Sequence, residues 1–158
     1  MKLLKSFGYA AHGIWRCIKC ETNFRIHTVA AISVAVFAAV YGVTGTQASI
    51  LTVIIALVFV AELLNTAVEA MVDIISPKRC CLAATAKDCA AGAVLILAAG
   101  AVIIAIFTFS DADKLRLCLD FALKYRIFLV LYIVLCACYI FVVPKSPRSN
   151  NESKKSTD

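Results

Sequence analysis

Four stretches of this 158-residue chain are apolar and long enough to cross a bilayer core: Ile26 to Val43, Ile50 to about Ile75, Cys89 to Phe109, and Ile127 to Val143. Backbone polar groups have no water to bind in hydrocarbon, so chain that crosses it must be helical or form a closed barrel. Runs of this length and continuity specify helices. The composition agrees, with 62% hydrophobic residues and a mean hydropathy of +0.89, which excludes an ordinary soluble domain. The expected fold class is an all-α membrane protein: an N-terminal amphipathic surface helix, three core transmembrane helices and a fourth, shorter C-terminal transmembrane helix. The corresponding divisions are 1–25 for the surface helix, 26–109 for the three-span core, 110–143 for an outer loop and the additional span, and 144–158 for a disordered tail.

The first twenty residues carry Leu3, Leu4, Phe7, Ala11, Ile14 and Ile18 at helical spacing, with Lys2, Lys5, His12, Arg16 and Lys19 on the other side. Such a helix lies on a membrane face. No cleavable signal is expected ahead of the spans, because the first 25 residues are basic and lack an uninterrupted apolar run. Cytoplasmic flanks collect Lys and Arg. The basic start, the uncharged connection from Gly42 to Ser49, the Lys78, Arg79 and Lys87 connection and the basic tail together predict an even number of spans with both termini cytoplasmic. The net charge of +6 is then explained by flanks lying on anionic lipid and not by nucleic-acid binding.

Within the second span the sequence Glu62-Leu-Leu-Asn-Thr-Ala-Val-Glu-Ala-Met-Val-Asp73 sets three carboxylates and an amide into an apolar segment. At about 100° per residue, Glu62, Asn65, Glu69 and Asp73 share an arc of about 80° on one helical face. Ionised groups in hydrocarbon cost a few kcal/mol or more, so this face points to a protein interior, a cation or the water boundary. A structural polar seam between helices would use the same residues. Glu21, just ahead of the first span, adds a carboxylate at about the depth where the second span ends.

If these helix ends converge, Glu21, Glu69 and Asp88, with Lys78, Arg79 and Lys87, surround one pocket at the lipid-water boundary. That mixture suits a metal-nucleotide. Mg²⁺ takes hard oxygen ligands, usually one or two carboxylates plus phosphate oxygens, and Lys or Arg neutralises the remaining phosphate charge. Glu62, two turns deeper, is then placed to accept a proton from a lipid hydroxyl.

Glu62-x-x-Asn65-Thr-Ala-Val-Glu69-x-x-Val-Asp73 followed by Ala86-Lys87-Asp88, and preceded by Gly8-Tyr9 and Glu21-x-Asn23-Phe24-Arg25-Ile26-His27, resembles the small bacterial membrane lipid kinases. That family comprises prokaryotic diacylglycerol kinase and undecaprenol kinase, and the resemblance covers about residues 3 to 109. It implies that Glu62 is the catalytic base, that Glu21 and Glu69 hold Mg²⁺ with ATP, and that Tyr9, Asn65, Lys87 and Asp88 belong to the nucleotide pocket. It also implies a homotrimer with sites shared between protomers. Phe24-Arg25-Ile26-His27 looks closer to the undecaprenol kinase branch, with diacylglycerol as the alternative substrate.

Two departures stand out. Lys78-Arg79-Cys80 replaces the acidic, aromatic and histidine residues usual after Ser-Pro, although Lys78 and Arg79 can still approach phosphates. The segment from Ser110 onward exceeds the three-span core. A non-enzymatic alternative, an ion or proton pathway along Glu62, Asn65, Glu69 and Asp73, meets an almost wholly apolar outer half from Ile50 to Ala61. Among the eight cysteines, Cys17, Cys20, Cys80 and Cys81 offer one CxxC spacing for zinc, but adjacent cysteines chelate poorly and apolar filler is the default reading.

Overall fold

The computed structural model describes residues 2–76 and 80–142. Lys78 and Arg79, the end of the fourth apolar stretch at Val143 and the tail 144–158 lie outside the described residues. Six helices follow one another in the described chain: α1 (Lys2–Cys20), α2 (Thr22–Tyr41), α3 (Gly45–Ile75), α4 (Cys81–Thr108), α5 (Ala112–Lys124) and α6 (Arg126–Val142). The protein is an all-α, multi-pass membrane protein. Three helices, α2, α3 and α4, are each long and apolar enough to cross a membrane, and the bent pair α5–α6 adds a fourth crossing if it counts as one span.

Local signals set the ends of these helices. Gly42 terminates α2 in the left-handed region at φ 70°, a conformation glycine adopts without a Cβ penalty, and its N–H bonds to the Ala38 carbonyl. Thr44 then opens α3 with a capping box, in which its Oγ1 accepts from the Gln47 backbone N–H while the Gln47 side chain accepts from the Thr44 N–H. A connection this short makes α2 and α3 antiparallel neighbours.

With 31 residues, α3 is about 46 Å long at 1.5 Å per residue, against roughly 30 Å for a hydrocarbon core. About 16 Å of it is therefore more than the core requires. Its buried stripe, Leu51, Ile54, Val58, Ala61, Glu62 and Asn65, follows the three-to-four-residue period of a packed helix. The longest helix contact is α3 on α4. The many Ala and Gly residues of α4 permit close backbone approach. Leu95, Ile96, Val102, Ile103, Ile106 and Phe107 of the same helix are left exposed, which in a bilayer means contact with lipid or with another protein.

Residues 110–126, expected as an outer loop, instead contain the 13-residue helix α5. Asp111 caps it by accepting from the N–H groups of Asp113 and Lys114. The chain turns by 87° between α5 and α6. Phe109 packs edge-on against Phe37 and Tyr41, and the Tyr41 hydroxyl accepts from the Asp111 N–H at 2.9 Å, so the start of the extension is fastened to the end of α2. Farther along, the Ser33 and Tyr132 hydroxyls share a hydrogen bond of 2.8 Å between α2 and α6. Between these two fastenings lies an apolar cavity of about 730 Å³, lined among others by Phe37, Val40, Phe109, Leu119, Phe121 and Leu129.

Candidate active site

The polar face foreseen on the second span is present on α3, and most of it converges with the beginning of α2. Phe24, 4% exposed, stacks on Phe59 of α3 with ring centroids 5.1 Å apart. The same helix crossing brings His27 to Glu62: His27 Nε2 lies 3.2 Å from Glu62 Oε1. Glu62 is 2% exposed, so its carboxylate sits inside the protein. One turn on, the Asn65 amide donates from Nδ2 to Glu69 Oε1 at 3.2 Å. The other amide atom, Asn65 Oδ1, is buried without a hydrogen-bond partner among the described residues.

Glu21 caps the start of α2 with extended backbone at φ −105° and does not use its side chain as the cap acceptor. Both Glu21 and Glu69 are near enough to Glu62 for their charges to act on it. Arg25, 2% exposed, donates to the Thr22 hydroxyl at 3.3 Å in the first turn of α2. The amphipathic α1 packs on α2 and α3 at this corner, with Cys17 buried beside Thr66. Glu62, Asn65, Glu69 and Glu21 thus form one cluster at the junction of α1, α2 and α3.

The remaining expected positions fall elsewhere. Asp73, one turn beyond Glu69, pairs with Lys87 of α4 through Oδ1 and Nζ at 2.5 Å. This ion pair crosses from α3 to α4 near the ends joined by the connection between them. Asp88 is exposed in the first turns of α4, and Tyr9 is exposed on α1. Neither takes part in the hydrogen bonds that hold the cluster together.

His27 is the neighbour of Glu62 that residue-type reasoning passed over. Its signal was available, since it stands a few residues after Glu21 at the entrance to an apolar helix, but which carboxylate it meets depends on how α2 crosses α3. The four cysteines considered for zinc differ in setting, with Cys17 buried, Cys20 partly buried and Cys80 and Cys81 exposed. Among the described residues no group of three or more His, Cys, Asp or Glu is arranged to hold a metal ion by itself.

Cys80 caps α4 by accepting from the Ala83 N–H at 3.4 Å. That backbone donor, with the Ser76 hydroxyl, favours the thiolate and lowers the thiol below its usual value. Burial has the opposite effect on Cys17. In a limiting maleimide pulse near neutral pH, mass spectrometry of the digested protein is therefore expected to find Cys80 labelled well before Cys17. Equal labelling would show that the thiols do not differ in this way.

Relatives with known names fix the class of this arrangement as a membrane lipid kinase. The model of the family described as prokaryotic diacylglycerol kinase matches residues 8–109, and the chain belongs to that family. It is 39% identical over 108 residues to undecaprenol kinase of Bacillus subtilis (strain 168), covering 68% of this chain and 88% of the relative. Against diacylglycerol kinase of Synechocystis sp. it is 42% identical over 103 residues, 65% of this chain and 59% of that longer protein. Diacylglycerol kinase of Escherichia coli (strain K12) is 34% identical over 107 residues, covering 68% and 84% of the two chains. No solved structure matches the chain. The family match ends within one residue of the end of α4, so α5 and α6 are additional to it.

Proposed function

We propose that this lipid kinase transfers the γ-phosphoryl group of ATP, with Mg²⁺, to the hydroxyl of a membrane lipid alcohol at the cytoplasmic surface, and that the alcohol is undecaprenol. The observation that carries the reading is the buried carboxylate Glu62 set about 10 Å along α3 from the half-buried Glu69. A base at that depth suits a hydroxyl whose hydrocarbon remains in the bilayer, and carboxylates nearer the surface suit a soluble nucleotide.

The donor set fits Mg²⁺. Glu21 and Glu69 supply hard oxygen atoms, and the unpartnered Asn65 Oδ1 is a further hard acceptor beside Glu69. Two carboxylates are as many as Mg²⁺ commonly takes when phosphate oxygens and water complete its octahedron, so a cage of three protein ligands is not required. When bound, Mg²⁺ neutralises charge developing on the transferred phosphoryl group.

In this reading Glu21 and Glu69 anchor the metal-nucleotide, and Asn65 orients the Glu69 carboxylate through its Nδ2 bond. Glu62 accepts the hydroxyl proton as the lipid oxygen attacks. Tyr9, Lys87 and Asp88 are assigned to the nucleotide side, with Lys78 and Arg79 available for phosphate. The Lys87–Asp73 pair must then open, or Lys87 must serve as a strut that fixes the start of α4. The orientation that supplies ATP puts the N-terminus in the cytoplasm, and the basic flanks favour the same direction. A homotrimer accords with the long exposed apolar face of α4.

The choice of lipid rests on Phe24-Arg25-Ile26-His27 and on the likeness to the Bacillus enzyme, which covers most of that protein. The test is transfer of labelled phosphate from ATP by the purified protein, with undecaprenol and diacylglycerol offered in separate micelles. Preferential labelling of undecaprenol with a requirement for Mg²⁺ is expected. Preferential labelling of diacylglycerol would replace the substrate while keeping the reaction, and transfer undiminished by chelator would remove the metal.

A further inference from the structure

Glu62 is deeply buried, yet a carboxylate that accepts a proton must present one oxygen to its substrate in a fixed direction. Its immediate surroundings are acidic: Glu69 on the same helix and Glu21 at the head of α2 both act on it by charge, and Cys17 of α1 lies in the same electrostatic neighbourhood. Against Glu62 lies His27 of α2, whose Nε2 is 3.2 Å from Oε1. At that separation an imidazole N–H is within reach of the carboxylate oxygen as a donor. A donor at Oε1 would restrain the carboxylate and leave Oε2 as the oxygen that takes the proton.

The placement of His27 is itself tightly determined. It lies one turn along α2 from Phe24, which is packed on Phe59, and next to the buried Arg25 turn. The backbone around His27 is helical, and the Thr28 hydroxyl adds a bond to the Phe24 carbonyl at 2.8 Å. The His27 side chain is 22% exposed against 3% for the Glu62 side chain, so the histidine lies between the buried carboxylate and the outside of the helix pair.

We infer that His27 is the positioning residue of the reaction: its Nε2–H fixes the Glu62 carboxylate by one oxygen so that the other faces the lipid hydroxyl. The inference rests on the reading of Glu62 as the base. What the position requires is a side-chain N–H donor reaching Oε1, not an imidazole as such. Glutamine can bring an amide N–H to about the place of Nε2, whereas leucine fills similar space without a donor.

The test uses the full chain, purified in micelles with ATP, Mg²⁺ and the lipid that the unmodified protein phosphorylates, comparing His27→Leu, His27→Gln, Glu62→Gln and the double variant His27→Leu with Glu62→Gln. His27→Leu is expected to lower kcat by roughly 10²-fold, the scale of misplacing a reacting group by an ångström, with KM for ATP unchanged. His27→Gln is expected to restore most of that loss, and the double variant to be no slower than Glu62→Gln alone.

A raised KM for ATP at unchanged kcat in His27→Leu, or His27→Gln as slow as His27→Leu with the same thermal melting as the unmodified protein, would overturn the positioning role. Turnover lost in Glu62→Gln but kept in His27→Leu would overturn the role of His27 alone. Turnover kept in Glu62→Gln would overturn the base assignment and with it the role built upon it.

Discussion

Replacing Glu62 by glutamine is expected to remove nearly all turnover while leaving nucleotide binding in place. Removal of a general base costs about 10²–10⁴-fold in rate, and glutamine cannot accept the proton at neutral pH. The substitution keeps the volume of a side chain that is 2% exposed, and its Oε1 can still accept from His27 Nε2. The Glu62 backbone carbonyl, which accepts from the Thr66 hydroxyl at 3.0 Å, is untouched. Loss of packing is therefore a poor explanation for whatever rate is lost. Single-turnover phosphoryl transfer, read beside equilibrium binding of a labelled ATP analogue, separates chemistry from affinity. An equal loss of binding and rate would make Glu62 a metal ligand or a structural group.

The opposite division is expected at Glu69. Glu69→Gln removes the charge but retains an oxygen that can accept from Asn65 Nδ2, as Glu69 Oε1 does at 3.2 Å. The helix face thus keeps its internal contact while losing half of the proposed carboxylate pair. The apparent affinity for Mg²⁺ and ATP together is expected to fall roughly 10–100-fold, the scale found when the environment of a metal is disturbed. Titrating Mg²⁺ at fixed ATP measures this directly. If the half-saturating concentrations of both stay where they are in the unmodified protein, Glu69 does not belong to the metal shell, and Glu21 with Asn65 becomes the set to test.

Much of the architecture can be read from the chain because length in a bilayer is so constraining. Three apolar runs become α2, α3 and α4, and the spacing of Leu3, Leu4, Phe7, Ala11, Ile14 and Ile18 becomes α1. The polar face of α3 follows from the 100° step alone, which is why Glu62, Asn65 and Glu69 are found together. The same rule included Asp73, and there it does not suffice. A shared face places residues on one side of a helix, but the neighbour each one meets changes along the axis. By Asp73 the partner is Lys87 of α4 and no longer α2.

His27 illustrates the same gap from the other direction. Nothing in the order of residues states that the second turn of α2 crosses α3 at Glu62, because that depends on the stacking of Phe24 on Phe59 and on the three-residue connection at Gly42. In α5 the local signal existed and was outweighed: Asp111 is a good cap, and Leu115, Cys118, Leu119 and Ala122 recur at helical spacing, but the mixed charges between them read as a loop. The 87° turn at Tyr125 has no proline or glycine to announce it.

That turn has a consequence for assembly. Fastened at Tyr41 and again at Ser33, the extension occupies one flank of α2 from its middle to its end. No neighbouring copy can reach Phe37 or Val40 from that side without prising α5 and α6 away. If the proposed homotrimer forms, its subunits meet through surfaces other than that flank, and the two added helices act as a spacer along the half of α2 far from the carboxylate cluster.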